Sequence, residues 1–473
     1  MVLILALLLR TNWVQGVEAD SYAKNVNNAR NLYDQYAYPR GSILVAGNQA
    51  VTRSDFVNGY RFKYKSGWTD GPMYAPVTGF SSQAFGSNGL ESLEGGVLAG
   101  TDDRLFFRNT LDMLTGKQKQ GGDILTTINP KAQKAAFDGL GSKKGAAVAI
   151  DPRTGAILAL VSTPSYDPTS FAGTSDADTK AWTDLNADPN KPMLNRALKE
   201  TYPPGSTFKL VTAATAFETG KYQNPDDATD TPDHYILPGT STELKNDNPS
   251  EQCGGATLKY ALTISCNTVY GKLGADLGKE KLLAQANKFG FNATVDTPIR
   301  SAQSNFPADS TPDGTAMDAI GQHNTAATPL QMAMVAAAIA NNGSLMQPYL
   351  VDEERSASTV ISKHTEHQLS QAVSPATAQK LQQMMVDVVQ NGTGQRAKID
   401  GVEVGGKTGT AQHGQDNSGL PFAWFVSYAK VGDSAPVAVA VVVEDGAASS
   451  NEISGGSLAA PIAKSIMQAV LNK

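Results

Sequence analysis

Apolar and polar positions alternate in three different ways along this chain. The first block, Met1-Val2-Leu3-Ile4-Leu5-Ala6-Leu7-Leu8-Leu9, is apolar until Arg10. It is shorter than the ~20 apolar residues a spanning helix needs. It also has no basic stretch in front of it, as a signal sequence would. The reading preferred for residues 1–18 is a partial membrane anchor. A short signal peptide cut near Val17-Glu18-Ala19 and a buried N-terminal helix are the alternatives. From 19 to 122 no apolar period is sustained. Tyr22, Leu32, Tyr33 and Tyr36 are loosely spaced for a helix or stalk over 20–38. Residues 40–51 predict strand, a Gly47-Asn48 turn and strand. The rest, rich in Tyr, Phe, Gly and Ser, predicts a modest α+β module that ends at the Gly121-Gly122 pair.

Beyond 122 the periods sharpen. Residues 123–128 predict a strand, and Asn129-Pro130 supplies a cap and first-turn proline for a helix through Ala136. Residues 145–150 and 156–161, around the turn 151–155, predict an antiparallel hairpin buried on both faces. Residues 210–217 are apolar almost all round and predict a buried helix closed by Gly220. Runs at 404–412, 422–428 and 437–443 predict further strands.

Composition narrows this little. The chain has 473 residues, 41% hydrophobic and 18% charged, enough for two or three globular domains. A net charge of −6 gives no reason to expect nucleic acid as a partner. The two cysteines, Cys253 and Cys266, are either one disulfide, favoured in an exported chain, or two free thiols. His364 and His367 form an H-x-x-H with no accompanying Cys or carboxylate cluster, in a polar loop, so no catalytic metal and no cofactor is expected.

Chemistry concentrates in three stretches. Pro203-Pro204-Gly205-Ser206-Thr207-Phe208-Lys209 is the mouth of the buried helix. Ser206 and Lys209, at i and i+3, share a face, a hydroxyl beside a candidate base. Ser265-Cys266-Asn267 falls between two predicted helices, where a loop aims Ser265 and Asn267 into a cleft. Lys407-Thr408-Gly409-Thr410 lies in a strand of small residues. Glycine there marks close approach of another backbone, and Lys407 offers a cation to a carboxylate.

In this order the three stretches resemble the motifs of penicillin-binding proteins and serine β-lactamases. The gaps between them and the flanking segments look like class B penicillin-binding proteins. Those segments are Gly155–Ala159, Ala319-Ile320-Gly321-Gln322, 328–333 and Pro39-Arg40-Gly41-Ser42-Ile43. Residues 9–15 look most like an actinobacterial branch. The resemblance covers residues 9–473. It implies an α+β fold with a pedestal, dimerisation-type module over 19–122 and a transpeptidase domain over 123–473. In that domain a central antiparallel sheet is flanked by helices, and a terminal helix over 458–471 covers it.

The implied activity is that of a D-Ala-D-Ala transpeptidase of cell-wall synthesis, serving cell division or cell shape. It takes peptidoglycan stem peptides and is acylated by β-lactams. Ser206 is then the nucleophile and Lys209 its base, with Ser265 relaying a proton. Asn267, Lys407, Thr408, Gly409 and Thr410 bind substrate, and the N–H groups of Ser206 and Thr410 form the oxyanion hole. Lys209 must be neutral to act. Burial and a second lysine ~5 Å away, worth roughly 3 kcal/mol of repulsion, push it that way. The implied location is the cell membrane, single-pass, with the catalytic domain outside the cytoplasm. The pedestal is then a surface for division or elongation proteins. The alternatives are a DD-carboxypeptidase or β-lactamase, for which Glu243 and Glu251 are candidate hydrolytic carboxylates, and a non-catalytic β-lactam-binding scaffold.

Overall fold

The computed structural model describes residues 1–18, 21–22, 33–57, 59, 62–105, 114–116, 118–357, 359–412, 419–445 and 454–473. Most of the stalk region read over 20–38 lies outside them, as does His413. The apolar block forms a helix, Val2–Trp13, with no buried residue, so a buried N-terminal helix is not what these residues form. Among the described residues no helix is long and apolar enough to cross a membrane.

The pedestal hairpin forms as predicted. Ile43–Val45 pairs with Gln49–Ala50, and Gly47 and Asn48 both adopt the positive φ such a tight turn demands. Its sheet is composite. Asp123–Thr126 pairs in parallel with Ile43–Val45 and antiparallel with Val351–Ser356, which in turn pairs with Thr359–Lys363. Two of the five strands thus come from far along the chain, and the sheet uses residues on both sides of 122. At Gly121-Gly122 the chain passes against Gly41. A Cβ on Gly41 would sit 1.8 Å from the Gly122 carbonyl oxygen. Arg40 and Glu91 form a buried ion pair at 2.6 Å beneath this crossing.

The second sheet has five antiparallel strands: β1 (Lys144–Ile150), β2 (Ile157–Thr163), β3 (Glu403–Ala411), β4 (Phe422–Val431) and β5 (Ser434–Asp445). Their order is β3-β4-β5-β1-β2, with β3 at an edge. The strand period of two divides β5 between two cores. Ala438, Ala440 and Val442 pack on one face and Val437, Val439, Val441 and Val443 on the other. The second face is covered by α1 (Pro130–Leu140), capped by the Asn129 side chain, and by the C-terminal α7 (Ala460–Leu471). The first face carries α2 (Lys209–Glu218), α5 (Pro329–Ala340) and α6 (Pro375–Asn391). Every residue of α5 is buried, as an all-round apolar helix requires. The helix α4 (Asn267–Leu277) packs against α2, and α3 (Leu258–Thr263) packs against α6.

Candidate active site

The Ser206 stretch opens with a 3-10 turn, Gly205–Phe208, that runs straight into α2. Gly205 has φ +53, and its N–H donates to the Gly321 carbonyl at 2.9 Å. A Cβ on Gly321 would meet the Gly205 oxygen at 2.1 Å, and one on Gly205 would crowd Thr410 and Ala411 at 3.1 Å. The Gly205 and Gly321 positions therefore allow the Ser206 turn to sit against the edge strand β3. Trp424 of β4 fixes it from below, donating to the Pro203 carbonyl at 3.0 Å. Tyr202 stacks edge-on to Trp424 and donates to Glu444 at 2.7 Å. Ser206 is 6% exposed, and among the described residues its Oγ has no hydrogen-bond partner.

Lys209 is fully buried. Its Nζ donates to the Ser265 carbonyl at 2.7 Å, to Ser265 Oγ at 3.3 Å and to Asn267 Oδ1 at 2.7 Å. Lys407, equally buried, donates to the same Ser265 Oγ at 2.8 Å and to the Thr408 carbonyl at 3.0 Å. One serine hydroxyl therefore bridges two buried lysine amines. Burial is the main cause that holds the Lys209 amine well below the usual lysine range, and the Lys407 charge adds to it. Burial brings Lys407 down to about 7, with Asp247 pulling the other way. Burial of both amines, and the Lys407 charge beside Lys209, favour loss of a proton from this pair.

Ser265 reaches this point because the α3–α4 connection turns sharply, with Ser265 at φ +69. The next residue, Cys266, is bonded to Cys253, which ties the turn to an irregular segment in front of α3. That pairing answers the choice the sequence left between one disulfide and two thiols. The same segment caps α4, where Asn246 Oδ1 accepts from the N–H groups of Asn267 at 2.7 Å and Thr268 at 3.0 Å. The Asn267 amide donates to the Lys245 carbonyl at 3.0 Å and to Asp247 Oδ1 at 3.1 Å, which turns its oxygen toward Lys209.

Thr408 and Gly409 line the opposite wall. A Cβ on Gly409 would press on the Pro204 oxygen at 2.9 Å, so glycine permits the contact between strand and serine turn. Thr408 Oγ1 is hydrogen-bonded to Thr393 Oγ1 at 2.6 Å. Thr393 was not a sequence candidate. Its Asn391-Gly392-Thr393-Gly394 context reads as an ordinary helix stop after α6, and only the fold brings it beside β3. Gln322, beside Gly321, clamps the far end of β3 with its amide against the Gln412 N–H and carbonyl, at 3.2 and 3.3 Å.

The two candidate hydrolytic carboxylates are engaged by other partners. Glu243 pairs with exposed His234 at 2.5 Å, and Glu251 accepts from Asn248 at 3.2 Å. His364 stacks on Tyr349 at 3.7 Å, away from the cleft residues. Among the described residues no group of three or more His, Cys, Asp or Glu is arranged to hold a metal.

A serine turn, a Ser-x-Asn loop and a Lys-Thr-Gly edge strand thus meet in one cleft. Residues 145–468 match the penicillin-binding protein transpeptidase domain, and residues 40–124 match the penicillin-binding protein A dimerisation domain. The chain belongs to the penicillin-binding protein transpeptidase family. It is 41% identical to the peptidoglycan D,D-transpeptidase PbpA of Mycolicibacterium smegmatis, over 100% of this chain and 97% of that one. It is 40% identical to PbpA of Mycobacterium tuberculosis over the same shares. Among solved structures, the ceftriaxone acyl-enzyme complex of penicillin-binding protein A from M. tuberculosis superposes with a TM-score of 0.86 at 38% identity, covering 93% of this chain and 100% of that one. The implied fold class, a transpeptidase domain with a smaller dimerisation-type module, is the one observed.

Proposed function

We propose that this protein is a peptidoglycan D,D-transpeptidase that works through a Ser206 acyl-enzyme and is acylated by β-lactams. The observation that carries the proposal is the shared hydroxyl of Ser265, 2.8 Å from Lys407 Nζ and 3.3 Å from Lys209 Nζ, beside the Ser206 turn. A serine is a weak nucleophile until a base takes its proton. Burial and the neighbouring Lys407 charge both lower the Lys209 pKa, which favours the neutral amine that can do so.

Ser206 Oγ attacks the carbonyl of the penultimate D-Ala. Its proton passes to Lys209, and the tetrahedral oxygen is held by the N–H groups of Ser206 and Thr410. Losing one such donor typically costs about 3 kcal/mol. Collapse breaks the C–N bond, and the leaving D-Ala takes the proton through Ser265. Asn267 holds the acyl side chain. Protonated Lys407, with Thr408, Gly409 and Thr410, receives the terminal carboxylate. An amine of a neighbouring stem peptide then attacks the ester, forms the new amide and frees Ser206. A β-lactam enters by the same attack, and its ring-opened remnant blocks the acceptor. The exposed leucine block supports attachment of the chain at the membrane surface, with this cleft on the cell-wall side. The pedestal is the surface for division or elongation partners.

The test is a donor stem pentapeptide incubated with an acceptor peptide that carries a free amine. Cross-linked product should form in step with released D-Ala. Release of D-Ala with water as sole acceptor would replace this reading with a carboxypeptidase.

A further inference from the structure

Asp247 was not a candidate in the sequence, and its position in the fold gives it a part in the cleft. It lies between a short hairpin, Tyr235–Ile236 with Glu243–Leu244, and the Cys253–Cys266 disulfide. Three attachments set the path of this segment. Leu244 packs where Gly271 leaves room, since a Cβ there would sit 2.4 Å from Leu244 Cδ2. Asn246 caps α4, and the disulfide closes the far end. Between them Asp247 Oδ1 accepts from Asn267 Nδ2 at 3.1 Å, and Asn267 Oδ1 accepts from Lys209 Nζ at 2.7 Å. Hydrogen bonds then continue from Lys209 through Ser265 Oγ to Lys407.

We propose that Asp247 is a positioning residue of the transpeptidase cleft, whose carboxylate holds the Asn267 amide toward Lys209 and supplies the negative charge that both buried lysines face. The proposal rests on the transpeptidase reading above. The Lys245 carbonyl also accepts from the Asn267 amide at 3.0 Å, so the hydrogen bond is shared, but the charge is not. Of the charged groups around it, Lys209 comes from α2, Lys407 from β3, and Lys245 and Glu251 from its own segment, with Glu251 turned to Asn248. Asp247 opposes the fall of both lysines from their ordinary values. Its charge favours the protonated form of both lysines, and so keeps Lys407 protonated for the substrate carboxylate to higher pH.

Catalysis needs Lys209 deprotonated, which sets the acidic limb of the rate profile, and Lys407 protonated, which sets the basic limb. Removing the negative charge favours the neutral form of both, so both limbs move to lower pH together. The experiment is the second-order rate of acylation by benzylpenicillin against pH for the parent, Asp247→Asn and Asp247→Glu, with melting temperatures recorded alongside. Asp247→Asn should acylate about fivefold more slowly on the alkaline side, the upper end for a charge interaction from an exposed residue. It should match or exceed the parent on the acidic side, and Asp247→Glu should restore the parent profile. An Asp247→Asn curve lowered equally at every pH, or unchanged, would overturn the proposal, since loss of packing alone moves no limb. A parent that is not acylated at any pH would instead overturn the transpeptidase reading.

Discussion

The two sides of the cleft are built by opposite means. On one side Ser206 stands on the 3-10 turn that opens α2, Lys209 on α2 and Lys407 on β3, elements locked into the main core, and both lysines are fully buried. On the other side Lys245, Asn246 and Asp247 sit on irregular chain, held by side-chain bonds and one disulfide. In the proposed mechanism the regular side carries the nucleophile and its base, where a displacement of an ångström is costly. The irregular side carries the groups that orient and charge-balance them. Loop backbone needs cross-links to hold such positions, and here the disulfide and the Asn246 cap provide them. Chemistry and tuning are thus separated by the kind of structure that bears them.

Substitutions of decreasing effect sharpen this contrast. On the regular side, Lys209→Met should lower the acylation rate by about 10²- to 10⁴-fold, the usual worth of a positioned base. Stopped-flow acylation with a chromogenic β-lactam reads this directly. On the irregular side, replacing both Cys253 and Cys266 by serine opens a loop spanning 13 residues. For such a loop the stability loss should be about 3 kcal/mol, seen in urea unfolding. The rate should fall far less than in Lys209→Met, because Ser265 and Asn267 lose restraint but not identity. If the double serine variant were as inactive as Lys209→Met while still folded, the division between the two sides would collapse. Smallest of all, Thr393→Val removes only the partner of Thr408 and should cost about 1 kcal/mol, near fivefold in acylation by a β-lactam bearing the carboxylate.

The same contrast explains what could be read in advance. The β1–β2 hairpin, the mouth of α2, the α3–α4 junction and the β3 strand all have local signals: strand alternation, Pro-Gly punctuation and small-residue runs. Each appears where it was read, although the helix opened by Asn129-Pro130 runs on to Leu140. The convergence of the three motifs on one site was legible, but the Ser265 hydroxyl shared by Lys209 and Lys407 was not. Other features had no such signal. The 123–126 strand was legible as a strand, but its partners at 43–45 and 351–356 were not, because pairing across hundreds of residues leaves no local period. Asn246, Asp247 and Thr393 lie in irregular chain, where residue type alone does not tell a cap or a cleft wall from a solvated loop. The expected Ser206–Lys209 pairing also looks different. Lys209 is engaged by Ser265 and Asn267, and Ser206 Oγ is left without a described partner, an arrangement common before substrate tightens the site.

The central claim is that Ser206 is the group acylated in this cleft. The most direct measurement is intact-protein mass spectrometry after mixing with benzylpenicillin, followed over hours beside Ser206→Ala, with the modified peptide sequenced. The account predicts a single persistent adduct of the whole drug on the peptide that carries Ser206 and none on the folded variant. An adduct on Ser206→Ala, or on another peptide of the parent, would contradict it.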